Sequence, residues 1–176
     1  FAMLPLQGLG QGAQPITSYN FGAHNSARVK QTFWLLLRAS LTYSVILWAC
    51  IMLFPQVFAG MFTADAALLE FTKSALRIYA ASMFLFGIQI ACQMTFTALG
   101  KAASSIIVAI TRKFILLLPL IYIMPHLLPD NPTRSVYMAE PIADAIAVTF
   151  TAILFFFQFR KAIASISDRT ADKTTT

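Results

Sequence analysis

Arg112 and Asp144 are ionisable side chains that stand deep inside long apolar stretches of the sequence. A charge at bilayer depth is disfavoured by several kcal/mol unless it is paired or hydrated. Arg112 and Asp144 would each lie roughly 15 Å from the nearer end of their helices, at 1.5 Å per residue. We therefore hypothesise that they interact, directly or through water. The alternative is that Pro141 is the first helical residue, which would leave Asp144 near the outer interface.

Amide side chains recur at helical spacing in two other stretches, and each set shares one helical face. The first set is Gln7, Gln11, Gln14 and Ser18, and the second is Gln89, Gln93 and Thr97, with Met94 beside it. Apolar walls, an adaptable Met and a few fixed polar groups suit a cavity for amphipathic compounds. The alternative is that the amides bond to neighbouring helices and the small residues permit close packing.

The other reactive side chains form no catalytic or metal-binding pattern. Glu140 and Asp144, four residues apart, could serve acid–base chemistry, but no His or nucleophile accompanies them. The only His residues lie near span ends on opposite predicted sides, and Cys50 and Cys92 lie in apolar spans as expected of buried thiols. The sequence therefore predicts neither an enzyme nor a metal site, and it requires no cofactor.

Composition excludes a water-soluble globule. Of 176 residues, 58% are hydrophobic and 11% are charged, with a mean hydropathy of +0.70, whereas soluble domains carry about 25% charged residues. The net charge of +6 is spread between apolar runs rather than gathered in one patch. It is typical of charges that orient membrane helices, and nucleic acid is not expected as a partner.

Continuous apolar runs without period-two alternation predict an all-α membrane bundle of five transmembrane helices. The predicted helices cover residues 1–21, 32–58, 75–99, 102–128 and 136–159. The chain begins at Phe1 without Met and without a basic start, so we interpret it as a fragment that begins in or beside a membrane helix. The polar tail, residues 163–176, is predicted to be disordered.

Basic residues predict the orientation of the bundle. One side collects seven of them, Arg28, Lys30, Lys101, Arg160, Lys161, Arg169 and Lys173, and the other collects three, Lys73, Arg77 and Arg134. This bias places the first connection and the C-terminus in the cytoplasm. Arg38 and Lys113, inside the spans, are expected to extend toward the cytoplasmic headgroups.

Four segments resemble the multidrug and toxic compound extrusion (MATE) transporters, above all the bacterial multidrug branch. The first is Gly-Leu-Gly-Gln-Gly-Ala-Gln-Pro-Ile-Thr-Ser-Tyr-Asn-Phe-Gly-Ala at 8–23, followed by Arg-Val-Lys at 28–30, and it is similar to the eighth helix and its cytoplasmic loop. The others are Thr-Ala-Leu-Gly-Lys at 97–101, Arg112 with Leu-Leu-Pro at 117–119 and Met-Pro at 124–125, and Ala-Glu-Pro-Ile-Ala-Asp at 139–144. They look like parts of the tenth, eleventh and twelfth helices.

The resemblance implies that residues 1–162 are part of the six-helix C-terminal lobe of a two-lobed antiporter in the inner (plasma) membrane. Such proteins export amphipathic, often cationic drugs in exchange for H⁺ or Na⁺. Gln11, Gln14, Tyr19, Asn20 and Arg112 match residues typical of the family motifs. No acidic residue occurs from Ile78 to Gly100, where some members carry a coupling carboxylate. The coupling site is therefore expected in the missing N-terminal lobe, with Asp144 a weak local candidate.

Two other functions stay open at this point. A flippase for a lipid-linked precursor shares the architecture in related families, but holding pyrophosphate needs a more basic cavity than Arg112, Lys113 and Arg38 provide. A non-transporting membrane remnant is the second alternative, although unselected polar faces would not keep the regular Gln spacing. On either transporter hypothesis, this chain without the missing lobe is not expected to transport.

Overall fold

The computed structural model describes residues 3–61, 65–127 and 132–174, and every regular element in these ranges is helical. The helices are α1 Leu4–Gly22, α2 Ser26–Leu53, α3 Pro55–Gly60, α4 Ala66–Tyr79, α5 Phe86–Ala98, α6 Ala102–Ile110, α7 Leu118–Leu127 and α8 Pro132–Thr174. A 3₁₀ segment, Ala80–Leu85, joins α4 to α5, and a π-helical segment, Thr111–Leu117, joins α6 to α7. The all-α fold class is confirmed.

Side-chain caps set two helix starts that the hydropathy pattern placed too late. The side chain of Asn25 accepts a hydrogen bond from the backbone N–H of Arg28, so α2 begins at Ser26 rather than at 32. Asp65 caps α4 in the same way through the N–H of Leu68. Capping satisfies N–H groups that the first helical turn leaves free. The third span therefore begins nine residues before its predicted start at 75, and Pro55 ends α2 before 58.

The last helix differs most from the sequence expectations. α8 begins at Pro132 and continues through Pro141, so Pro141 is not the first helical residue. The helix also continues to Thr174, through the tail expected to be disordered from residue 163. Ala162 and Ile166, one turn apart, are buried on one face, and Ala162 packs with Val29 and Leu99. This apolar stripe extends α8 beyond the predicted boundary.

Within the described ranges, four helical stretches are long and apolar enough to span a membrane: Ser26–Leu53, Ala66–Ala98, Ala102–His126 and Ser135–Ile166. α1 is 19 residues long and packs against α2 and α5, but its Gln and Gly residues make it too polar for that set. The prediction of five spans is therefore approximate in its count. Large apolar side chains such as Leu35, Phe114 and Phe157 are exposed, as expected of a surface that faces lipid.

The core lies where α2, α5 and α8 meet. Phe33 stacks on Phe155, with ring centroids 4.6 Å apart, and Phe96 meets Phe155 edge to face at 5.2 Å. α2 and α5 approach closely at Gly87, where an added Cβ would lie 2.6 Å from the carbonyl oxygen of Ser40. This packing fixes α5, and with it the polar residues on its other face.

Candidate functional site

The π-helical segment carries Arg112 to the buried carboxylate of Asp144 on α8. Arg112 Nε donates to Asp144 Oδ1 at 2.6 Å, and the Asp144 side chain is only 2% exposed. The interaction hypothesised from the sequence is thus a direct ion pair in the structure. π-helical turns inside longer helices often occur at functional sites.

Asp144 also contacts the 3₁₀ segment between α4 and α5. Ser82 Oγ donates to Asp144 Oδ2 at 3.1 Å, and both side chains are buried. Four residues further on, the ring of Phe86 lies 4.8 Å from the guanidinium carbon of Arg112, within the range of a cation–π contact. The ion pair therefore joins the two irregular segments to α8.

Glu140, one turn before Asp144, extends this group into a charged cluster of Arg112, Lys113, Glu140 and Asp144. Glu140 Oε1 lies 3.8 Å from Arg112 Nη2 and 3.6 Å from Lys113 Nζ. The cluster contains two cations and two carboxylates, so its formal charge is zero when all four are ionised. Removing one partner of a buried pair leaves an uncompensated charge, which costs about 3–5 kcal/mol.

A small polar cavity opens beside the charged cluster, between α1, α5 and the π-helical segment. Its volume is about 130 Å³, and Gln7, Phe86, Gln89, Gln93 and Arg112 line it together with Met3 and Ile90. Gln89 is 5% exposed, and its Oε1 has no hydrogen-bond partner among the described residues. A buried amide oxygen without a partner costs about 1–3 kcal/mol. The oxygen is closed to solvent as the amide stands, so it gains a partner only if the Gln89 amide turns toward a donor in the cavity.

Close contacts between α1 and α5 hold the two amide stripes side by side. Ser18 Oγ on α1 donates to the carbonyl oxygen of Ala98 at 2.9 Å. Met94 packs over Gly10, where an added Cβ would lie 2.6 Å from Met94 Cγ. Met94, which the sequence placed in the cavity, is thus at the helix contact and does not line the polar cavity.

The structure brings together some of the predicted site residues and leaves others apart. Gln89, Gln93 and Arg112 share the polar cavity. The other family-motif and stripe residues lie along α1 and the end of α5, outside its lining: Gln11, Gln14, Tyr19, Asn20 and Thr97. Tyr19 is 77% exposed, the Asn20 amide donates to the carbonyl oxygen of Ile16, and the Thr97 hydroxyl donates to that of Gln93.

Two residues of the site escaped the sequence interpretation. Ser82 and Phe86 were not singled out, although with Gln89 and Gln93 they occur at spacings of four, three and four. This pattern could have placed them on one helical face. In the ranges that the structure describes, no group of three or more His, Cys, Asp or Glu side chains could hold a metal ion.

The fold and site define an integral membrane protein in which a polar cavity and a charged cluster lie between apolar helices. The MatE family model matches residues 1–123. The chain belongs to the MatE family.

Several proteins are similar to this chain. The multidrug export protein MepA of Staphylococcus aureus (strain NCTC 8325 / PS 47) is 28% identical over 155 residues, which are 88% of this chain and 34% of MepA. An FAD transporter of Shewanella oneidensis is 23% identical over 144 residues, 82% of this chain and 31% of the relative. The chain therefore spans about a third of the length of these relatives.

Solved structures share the fold. A MATE protein in the bent conformation superposes with a TM-score of 0.86 at 18% identity, covering 94% of this chain and 36% of that structure. The inward-facing conformation of a multidrug resistance MATE family transporter of the MOP superfamily superposes with a TM-score of 0.80 at 21% identity. The match covers 95% of this chain and 38% of that structure.

Proposed function

We propose that this chain forms most of the C-terminal lobe of a cation-coupled multidrug antiporter. The complete protein exports amphipathic, often cationic compounds across the inner (plasma) membrane by alternating access, and its C-terminus is cytoplasmic. The N-terminal lobe, the lipid bilayer and the drug are its partners, and the coupling cation is H⁺ or Na⁺. The family membership and the similarity to MepA, a multidrug export protein, support this proposal.

The observation that carries the proposal is the polar cavity with its unpartnered amide oxygen. At about 130 Å³ the cavity holds part of a drug, and the rest of the site is proposed to come from the missing part of the protein. An amphipathic drug needs apolar contact and a few adaptable polar groups. Phe86 and Ile90 supply the first, and the amides of Gln89 and Gln93 supply the second. Because Gln89 Oε1 is buried and unpaired, an amide that turns toward a drug N–H gains a hydrogen bond without giving up one that this oxygen makes inside the protein.

The charges at the cavity offer no excess positive charge to a polyanionic substrate. Arg112 is the cation that lines the cavity, and Asp144 and Glu140 already balance it. A pyrophosphate-bearing substrate, such as a lipid-linked precursor or FAD, needs uncompensated positive charge. The balanced cluster therefore supports multidrug export over the flippase alternative.

The same contacts argue that Asp144 is a positioning residue rather than the coupling group. Both of its carboxylate oxygens are engaged, one by Arg112 and the other by Ser82. We place the coupling carboxylate in the N-terminal lobe, outside this chain. Cation binding there would bias the open states of the complete protein through its differential affinity for them, as in other transporters built from two repeats.

Dye efflux by the complete protein tests the proposal. The full-length protein that carries this chain is expressed in cells lacking other pumps, and ethidium efflux is followed in everted membrane vesicles with a proton or a sodium gradient. We expect efflux that collapses with one of the gradients. Gln89→Ala and Gln93→Ala are each expected to lower the efflux rate about 10-fold, the effect of losing roughly 1.4 kcal/mol of binding.

Gln31→Ala is the matched control, because Gln31 is an exposed amide near the start of α2, outside the cavity lining. It should leave efflux unchanged. Efflux that is equal in all variants would remove both amides from the substrate path. An intact, correctly inserted protein without gradient-dependent efflux of any cationic dye would instead favour the flippase or the non-transporting remnant.

A further inference from the structure

A large apolar groove runs between α2 and α8, on a different side of α5 from the polar cavity. Its volume is about 710 Å³, within the range of about 300–1,000 Å³ common for ligand sites. Phe33, Phe155 and Phe159 form stacked or tilted pairs along it, with centroids 4.6–5.1 Å apart. Trp34 and Phe156 line its exposed side. α5 contributes Ile88 and Cys92 here, whereas Gln89 and Gln93 line the polar cavity.

Two basic side chains stand near one end of this groove, Lys30 on α2 and Arg160 on α8. The guanidinium carbon of Arg160 lies 5.5 Å from the ring centroid of Phe156, so the charge is held over the aromatic wall. Among the carboxylates up to residue 166 whose side chains the structure describes, none pairs with either cation. At the same end, burial and then the charge of Lys161 lower the pKa of Lys101.

The length of the groove matches one leaflet of a bilayer. It follows α8 from Ala152 to Ala164, a rise of about 18 Å at 1.5 Å per residue. The hydrocarbon core of a bilayer is about 30 Å thick, so one leaflet is about 15 Å. Lys30 and Arg160 each stand four residues inside this end of the groove. From Arg160 to Ala152 the helix rises about 12 Å, so the groove beyond the two cations covers most of the acyl region of one leaflet. The charge bias of the sequence predicts that this end faces the cytoplasm, where anionic lipids concentrate.

We propose that this groove is a binding site for an anionic phospholipid of the cytoplasmic leaflet. Its phosphate binds Lys30 and Arg160, and one acyl chain lies along Phe33, Phe155 and Phe156 toward Leu37 and Ile88. Charge-assisted bonds to phosphate select the headgroup, and the aromatic walls bind the chain. The site is separate from the polar cavity of the proposed transport function, so either can fail without the other.

Trp34 provides the probe. The full-length protein is reconstituted in phosphatidylethanolamine vesicles that contain brominated phosphatidylglycerol or, at the same mole fraction, brominated phosphatidylethanolamine. The difference in fluorescence between this protein and its Trp34→Phe variant isolates Trp34. We expect brominated phosphatidylglycerol to quench Trp34 at a lower mole fraction than the neutral lipid. Lys30→Gln with Arg160→Gln should lower the relative affinity for phosphatidylglycerol by roughly 5- to 30-fold, since each basic residue contributes a factor of about five.

Arg28→Gln with Lys161→Gln is the matched control, because it removes two exposed charges from the same end without touching the groove. This variant should keep the preference, and Lys30→Arg with Arg160→Lys should keep most of it. Equal quenching of Trp34 by the two lipids would overturn the proposal. So would an equal loss of preference in the control variant, because the effect would then be one of general surface charge.

Discussion

Arg112 and Asp144 form an ion pair of 2.6 Å between a π-helical segment and a helix that passes through a proline. The pair lies beside the polar cavity, and the hydroxyl of Ser82 donates a hydrogen bond to the second carboxylate oxygen of Asp144. A mid-helix charge is tolerated here because a neighbouring helix supplies its partner. Arg112 therefore belongs both to the wall of the polar cavity and to the charged cluster.

Breaking this pair should destabilise the protein strongly. Arg112→Gln is expected to lower the free energy of unfolding by about 3–5 kcal/mol, because it leaves the buried Asp144 carboxylate without its cation. Asp144→Asn should cost less, about 1.5–3 kcal/mol for the lost charged hydrogen bond, because Arg112 still lies 3.8 Å from Glu140. Arg112→Asp with Asp144→Arg should recover part of the loss. Thermal unfolding of the purified full-length protein measures the effect.

Lys113→Gln is the control for that series, since Lys113 is more exposed and lies 3.6 Å from Glu140. Exposed pairs contribute at most about 1 kcal/mol. Single variants at Arg112 and Asp144 that unfold like the Lys113 control would show that the pair does not stabilise the fold.

Glycine positions offer a second, independent test of the helix packing. An added Cβ at Gly87 would lie 2.6 Å from the Ser40 carbonyl oxygen and 2.7 Å from Leu41 Cα, both backbone atoms of α2. Gly87→Ala should therefore cost about 1–3 kcal/mol, the usual cost of overpacking. Gly10→Ala should cost less, because its obstacle is the flexible Met94 side chain.

Gly12→Ala is the matched control, since nothing lies within 4 Å of its added Cβ. It should stabilise α1 by up to about 1 kcal/mol through helix propensity. Unfolding of the three purified variants measures their relative stabilities, and we expect Gly87→Ala to be the least stable and Gly12→Ala the most stable. A Gly87→Ala variant as stable as Gly12→Ala would contradict the close approach of α2 and α5.

Replacing Gln89 by Leu should separate stability from transport. The substitution removes a buried amide oxygen without a partner, so the free energy of unfolding is expected to stay equal or to rise. Drug efflux should fall, because the same oxygen is proposed to accept a bond from the substrate. A loss of stability of more than about 2 kcal/mol would show that the Gln89 amide has a structural role instead.

The helices were predictable because hydropathy is read from neighbouring residues alone. The pairing of Arg112 with Asp144 was predictable because a charge deep in a membrane needs an oppositely charged partner. Asn25 and Asp65 are residue types that cap helices, so the sequence contained the signal for both helix starts. The predicted starts were too late because they were placed where the apolar run begins. The bond from Ser82 to Asp144 joins residues 62 positions apart, so only the tertiary structure reveals it. Nor does residue type distinguish Met94 at a helix contact from Met in a cavity.

We propose that the Gln89–Gln93 face of α5 is wetted inside a bundle otherwise surrounded by lipid. Accessibility of introduced cysteines in the full-length protein tests it, after Cys50, Cys92 and any other Cys are replaced by Ala. Maleimides react with the thiolate, which needs water. Leu35→Cys, on the exposed apolar surface of α2, is the control.

We predict that a charged, membrane-impermeant maleimide labels Gln93→Cys, that bound ethidium slows the labelling, and that Leu35→Cys stays unlabelled in membranes. If the maleimide labels Gln93→Cys as little as Leu35→Cys, with or without ethidium, the Gln89–Gln93 face is not accessible to water and does not line the substrate path.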